Sequence, residues 1–97
     1  MARKRKEYEF SMQTKDSVIN SWHAQNPGRH NAELEVDHII PIWWARQQAI
    51  PPEIVKTRDN ARALTKSEHK RRHKNELSHQ EYVSLAQTIL GWARNLI

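Results

Sequence analysis

The stretch Glu33–Pro41, ELEVDHIIP, decides the fold. Leu34, Val36 and His38 alternate with Glu33, Glu35 and Asp37, and this period of two predicts a strand over Glu33 to Ile39. Pro41 ends it, because proline cannot donate to a ladder. The matching stretch downstream is Asn60–His73, NARALTKSEHKRRH. Ala61 to Leu64 reads as a second short strand pairing back on the first. Thr65 and Glu68 then form a capping box, in which each side chain satisfies the other's backbone N–H, opening a helix to about Lys74. Polar residues punctuate this order: Asp37 and His38 end the first strand and Asn60 begins the second. His69 and His73 lie four apart on one helical face, where they can converge on a single point.

Outward from this centre, residues 1 to about 10 read as a basic arm, with Arg3, Lys4, Arg5 and Lys6 and no apolar periodicity. Thr14 to about Gln25 predicts a helix with Val18, Ile19 and Trp22 on one face, stopped by Asn26, Pro27 and Gly28. Ile40 to Asp59 is a connection in which Trp43 and Trp44 open a short helix and Pro51 and Pro52 mark a turn. Trp43 and Trp44 are assigned to the core rather than to stacking on bases. Ser78 and Glu81 make a second capping box, opening a final helix with Tyr82, Leu85, Ala86, Ile89, Ala93 and Leu96 on one face. Leu90, Trp92 and Ile97 lie off or at the edge of that face, where a dimer contact can form. His23, His30 and His79 have no nameable partners and read as surface residues.

A chain of 97 residues makes one domain with a thin core. No apolar run approaches the roughly 18 residues that span a bilayer, and no secretion signal follows the basic start, so the expected setting is soluble and cytoplasmic. There are no cysteines, so neither disulfides nor thiolate zinc can staple the fold. The net charge of +5 is concentrated: Lys56 to Lys74 holds eight basic and two acidic residues, a local +6. Such concentration suits phosphate neutralisation with counterion release and predicts salt-dependent binding to a polyanion.

The set Val36, Asp37, His38, Ile39, Ile40 and Pro41, followed by Asn60, Leu64 and His69, resembles the signature of the HNH, or ββα-metal, nucleases. Eight residues separate Asn60 from His69 and four separate Leu64 from His69, as in that family. His73 is similar to a further histidine in the nuclease domains of bacterial DNase toxins. The resemblance implies an α+β fold in a single domain, residues 1–97. A ββα-metal core at 33–74 would be flanked by N-terminal and C-terminal helices, the latter supporting it from 78–97. It implies a metal-dependent DNA endonuclease in a bacterial or phage-infected cell, with His38 as general base and Asn60 fixing the loop that carries it. Asp37 and His69 would hold one divalent cation, with His73 as a further ligand or a phosphate contact. Mg²⁺ is the first expectation; Mn²⁺, Ni²⁺ or Zn²⁺ compete if His73 binds as well. Lys66, Lys70, Arg71 and Arg72 would contact phosphates. No small-molecule cofactor, no membrane and a monomer or homodimer are expected.

The chemistry fits those residue types. An imidazole titrating near neutrality can take a proton from water, and a cation opposite can relieve charge on the phosphate. The chain departs from the family in lacking the cysteine pairs that hold a structural zinc; two of those positions are Thr65 and Glu68. Trp43 and Trp44 replace a common glycine pair, and the connection to Asn60 is long. The bracing falls to the helix after Ser78, with Ile19 and Trp22. Two other functions share this composition: a noncatalytic basic nucleic-acid-binding module, and a nuclease toxin domain neutralised by an acidic partner.

Overall fold

The computed structural model describes residues 5–74 and 76–92, and for His73 and Lys74 the backbone alone. It is an α+β domain whose two antiparallel strands, β1 (Leu34–His38) and β2 (Ala61–Thr65), pair Leu34 with Thr65, Val36 with Ala63 and His38 with Ala61. A two-stranded sheet is marginal in water and needs cover. Here each face has a helix. The face of Val36, Ala61 and Ala63 packs with Phe10 and Val18, and Val18 belongs to α1 (Met12–Gln25). The opposite face, with Glu35, Asp37, Arg62 and Leu64, receives α4 (Lys66–Lys74), which follows β2 directly.

Local chemistry sets the helix starts. α1 begins two residues before the predicted Thr14, because Ser11 is its cap and its hydroxyl accepts from the Thr14 N–H at 3.1 Å. Both predicted capping boxes form. The Thr65 N–H donates to Glu68 Oε1 at 2.9 Å and the Glu68 N–H to Thr65 Oγ1 at 3.3 Å; Ser78 and Glu81 make the same pair ahead of α5 (His79–Leu90). Hydrogen bonding of the carboxyl by the Thr65 N–H, and next by the Thr65 side chain, holds Glu68 below its ordinary pKa. α5 ends at Leu90, earlier than expected, because Gly91 adopts a left-handed φ of 64° that breaks the helical path. Ala93, Leu96 and Ile97 lie outside the described residues.

The connection from Ile40 to Asp59 supplies most of the larger core cluster among the described residues. Ile42–Gln47 forms α2 and Pro52–Val55 forms α3, and Ile40, Ile42, Trp44, Ala45, Ile50 and Val55 are buried against Tyr82, Val83 and Ala86 of α5. α5 thus packs on the connection, while the strands themselves are backed by Val18 of α1 and by Phe10. Trp44 is core as expected, but Trp43 is 46% exposed. Leu90 and Trp92, expected at the edge of the helix's apolar face, are partly buried against this core. His79 is exposed, as expected, but it has a partner: its Nδ1 accepts from Trp44 Nε1 at 3.1 Å.

The N-terminal segment corrects the basic-arm expectation from Arg5 onward. Arg5–Tyr8 forms a single 3-10 turn, and Tyr8 and Phe10 are 3% and 5% exposed. Burial of two aromatic rings outweighs the solvation of the charges beside them. No helix among the described residues is long and apolar enough to cross a membrane.

Candidate active site

β1 carries two carboxylates on its α4 face, Glu35 and Asp37. One turn into α4, His69 reaches both: its Nδ1 lies 2.5 Å from Glu35 Oε2 and its Nε2 lies 3.7 Å from Asp37 Oδ1. A carboxylate can only accept, so Nδ1 bears the proton, and in the neutral ring the lone pair belongs to Nε2. The 3.7 Å gap is too long for a hydrogen bond. It is close to the separation of two ligands on one ion, about 3.0–3.5 Å for bonds of ~2.1 Å.

The other Asp37 oxygen faces two guanidinium groups. Arg72 Nη1 approaches Oδ2 to 3.0 Å and Arg62 Nε, paired with Asp37 across the strands, lies at 3.6 Å. Neither aligns as a hydrogen bond to Oδ2, so charge holds them there. Burial, and next the like charge of Arg72, lowers the Arg62 pKa, while Asp37 opposes both effects. Arg72 also donates through Nη2 to the Ile39 carbonyl, tying α4 to the end of β1.

His38 points to the opposite sheet face, as strand alternation requires. Its Nε2 donates to the Tyr8 carbonyl at 2.7 Å, and its ring stacks on Phe10 with centroids 4.0 Å apart and planes 17° apart. Burial depresses its pKa; the Tyr8 bond, Asp37 and Glu9 raise it, and Arg5 lowers it further. Although Asp37 and His38 sit on different faces, the strand ends at His38, and both reach one cavity of about 190 Å³ shared with Arg5, Trp43, His69 and Arg72.

Asn60 holds the backbone beside this cavity. It is fully buried; its Oδ1 accepts from the Ile40 N–H at 2.7 Å and its Nδ2 donates to the carbonyls of Val55 at 2.8 Å and Ile40 at 3.3 Å. The Asn60 carbonyl also takes the Ile39 N–H at 2.8 Å. One side chain thus joins the chain leaving His38 to the chain entering β2.

The structure brings Asp37, His38, His69 and Arg72 to one cavity and places Asn60 behind it. Lys66, Lys70 and Arg71 are exposed on α4, with Lys66 Nζ 2.6 Å from Glu33. Arg72 is turned inward, with a side chain 17% exposed. The His73 side chain lies outside the described residues. Sequence reasoning missed Glu35, Arg62, Arg5, Tyr8 and Phe10. Glu35 was findable, since it stands two residues before Asp37 on the same strand face; Phe10 carried no local signal, because only tertiary folding brings it to His38.

As a cation site, the donors are one carboxylate oxygen and one imidazole nitrogen at ligand-like separation. No group of three or more such side chains assembles among the described residues. Such a two-donor set would leave most of an ion's coordination positions to water. Comparison with family models, with curated proteins and with solved structures finds no match to this chain.

Proposed function

We propose that the chain is a metal-dependent endonuclease of the HNH type that hydrolyses DNA phosphodiester bonds. The observation that carries this reading is the cavity that Asp37 and His69, whose Oδ1 and Nε2 lie 3.7 Å apart, share with His38. Neutral His38 takes a proton from a water molecule as that water's oxygen bonds to phosphorus; the bond from phosphorus to the 3′ oxygen breaks, and the departing oxygen is protonated from solvent. Asp37 and His69 would hold a divalent cation, which would supply charge relief to the phosphate as the bond breaks. Arg72 and Arg5 add positive charge to the cavity wall, and Lys70 and Arg71 extend it along α4 for the flanking phosphates.

Purified protein mixed with supercoiled plasmid tests the reading. Nicked or linear products are expected with Mg²⁺, Mn²⁺ or Ni²⁺ and none with chelator. DNA binding without cleavage in any of these ions would reject catalysis and leave the noncatalytic binding module, which the exposed Lys70 and Arg71 alone would support.

Glu35 orients the His69 ring, so Glu35→Gln is expected to weaken Mn²⁺ binding by about 10- to 100-fold, as loss of a carboxylate behind a ligating histidine does. Calorimetric titration checks this, and an unchanged affinity would remove Glu35 from the site.

The lowered His38 pKa fixes the sign of two pH effects. The base works when neutral, so the single-turnover rate should rise with pH along an acid limb below about 6.5 and level off near neutrality. Because the folded pKa is depressed, the unfolded chain binds the extra proton first. The stability contributed by neutral His38 is therefore full above about 6.5 and lost as pH falls through the folded value. A pH–rate profile whose acid limb lies above neutrality would contradict the assignment.

A further inference from the structure

We propose that the Tyr8 main-chain carbonyl and the Phe10 ring are positioning groups of the active site, holding His38 as its Nε2–H tautomer. This makes the segment from residue 5 to residue 10 part of the machinery rather than a tail. The inference rests on the nuclease reading for its catalytic meaning and on geometry alone for its structural content.

A carbonyl oxygen has no proton to give. At 2.7 Å from Tyr8 O, Nε2 must therefore be the donor, and a neutral imidazole with its proton on Nε2 keeps its lone pair on Nδ1. The tautomer alone does not fix the ring, which can still turn about its bond to Cβ. Phe10 removes that freedom, because rings stacked at 4.0 Å and 17° leave no room for the imidazole to swing out of plane. A flip would also place a carbon where Nε2 meets the carbonyl.

The segment's own position is set twice over. Tyr8 is buried in the cluster containing Ile40, Trp44 and Tyr82, and Phe10 in the separate cluster of Val18 and Ala61. Between these anchors the backbone has little latitude, so the carbonyl meets His38 at a fixed place. Arg5, one turn earlier, lines the same cavity as His38. Placing a proton acceptor in this way matters energetically, since a misplacement of about 1 Å can cost on the order of 100-fold in rate.

The test combines nitrogen NMR of the His38 ring in the intact protein with single-turnover and steady-state cleavage by wild type, Phe10→Leu and Phe10→Tyr. Wild type is expected to show a protonated Nε2 and an unprotonated Nδ1 at neutral pH. Phe10→Leu keeps the apolar fill and loses the flat ring; it should show mixed tautomers and a kcat reduced by about 10- to 100-fold with KM unchanged. Phe10→Tyr restores the flat ring and should recover most of kcat. A wild-type ring protonated on Nδ1 overturns the proposal even if the Phe10 variants do not fold. So does a Phe10→Leu protein with unaltered tautomer and kcat. The ring spectra need no turnover: a clamped His38 in a protein that cuts nothing supports the clamp and overturns the nuclease reading.

Discussion

His38→Ala is expected to lower the rate of plasmid cleavage by about 100- to 10,000-fold, the contribution of a positioned general base. Binding of the divalent ion should be retained, because Asp37 and His69 meet on the other face of the sheet. The fold should survive as well: His38 ends its strand and is only partly buried, and Phe10 remains anchored by Val18 and Ala61. The diagnostic pattern is therefore lost cleavage with kept metal affinity and a kept thermal transition. His69→Ala should give the complementary result, with metal affinity and cleavage falling together. If His38→Ala cleaved at the wild-type rate, the base would have to be another group.

The largest effect on stability is expected at Asn60. Alanine there removes three side-chain hydrogen bonds and leaves the Ile40 N–H and the Val55 and Ile40 carbonyls without those partners in the interior. Buried groups left unpaired cost about 1–3 kcal/mol each before relaxation, so a loss of about 2–4 kcal/mol is expected from a domain whose total is roughly 5–15 kcal/mol. Asn60→Asp separates hydrogen bonding from shape. The aspartate can still accept from Ile40, but its second oxygen meets two carbonyls where a donor stood, so at neutral pH it should be at least as damaging as alanine. Protonation restores a donor, and the deficit should shrink in acid. Equilibrium urea unfolding at two pH values measures both variants; a change below about 0.5 kcal/mol, typical of surface substitutions, would mean that Asn60 does not fasten this loop.

The elements that the sequence made legible are those with a local signature. The alternation of Leu34, Val36 and His38 located β1 to within a residue at each end, and the Thr65–Glu68 and Ser78–Glu81 boxes located the starts of α4 and α5. The core was less legible, because α2 and α3 contain six and four residues and offer too short a window for a period of 3.6 to declare itself. Within the site, Asp37, His38, Asn60 and His69 stood out by spacing. The groups that orient them were hidden for two reasons. Arg62 depends on strand register and helix docking, and Tyr8 acts through a carbonyl, which every residue possesses. The composition of the first ten residues pointed to solvent, and two aromatic rings among the charges reversed that outcome.

The central claim is that one divalent ion is shared by Asp37 and His69 beside His38. Diffraction from crystals grown with Mn²⁺ and a short DNA duplex, collected at a wavelength where manganese scatters anomalously, tests it most directly. The account predicts a single strong peak about 2.1–2.3 Å from Asp37 Oδ1 and His69 Nε2, with a phosphate between it and the His38 ring. A manganese peak elsewhere, with Arg72 still filling the space between Asp37 and the phosphate, would contradict it.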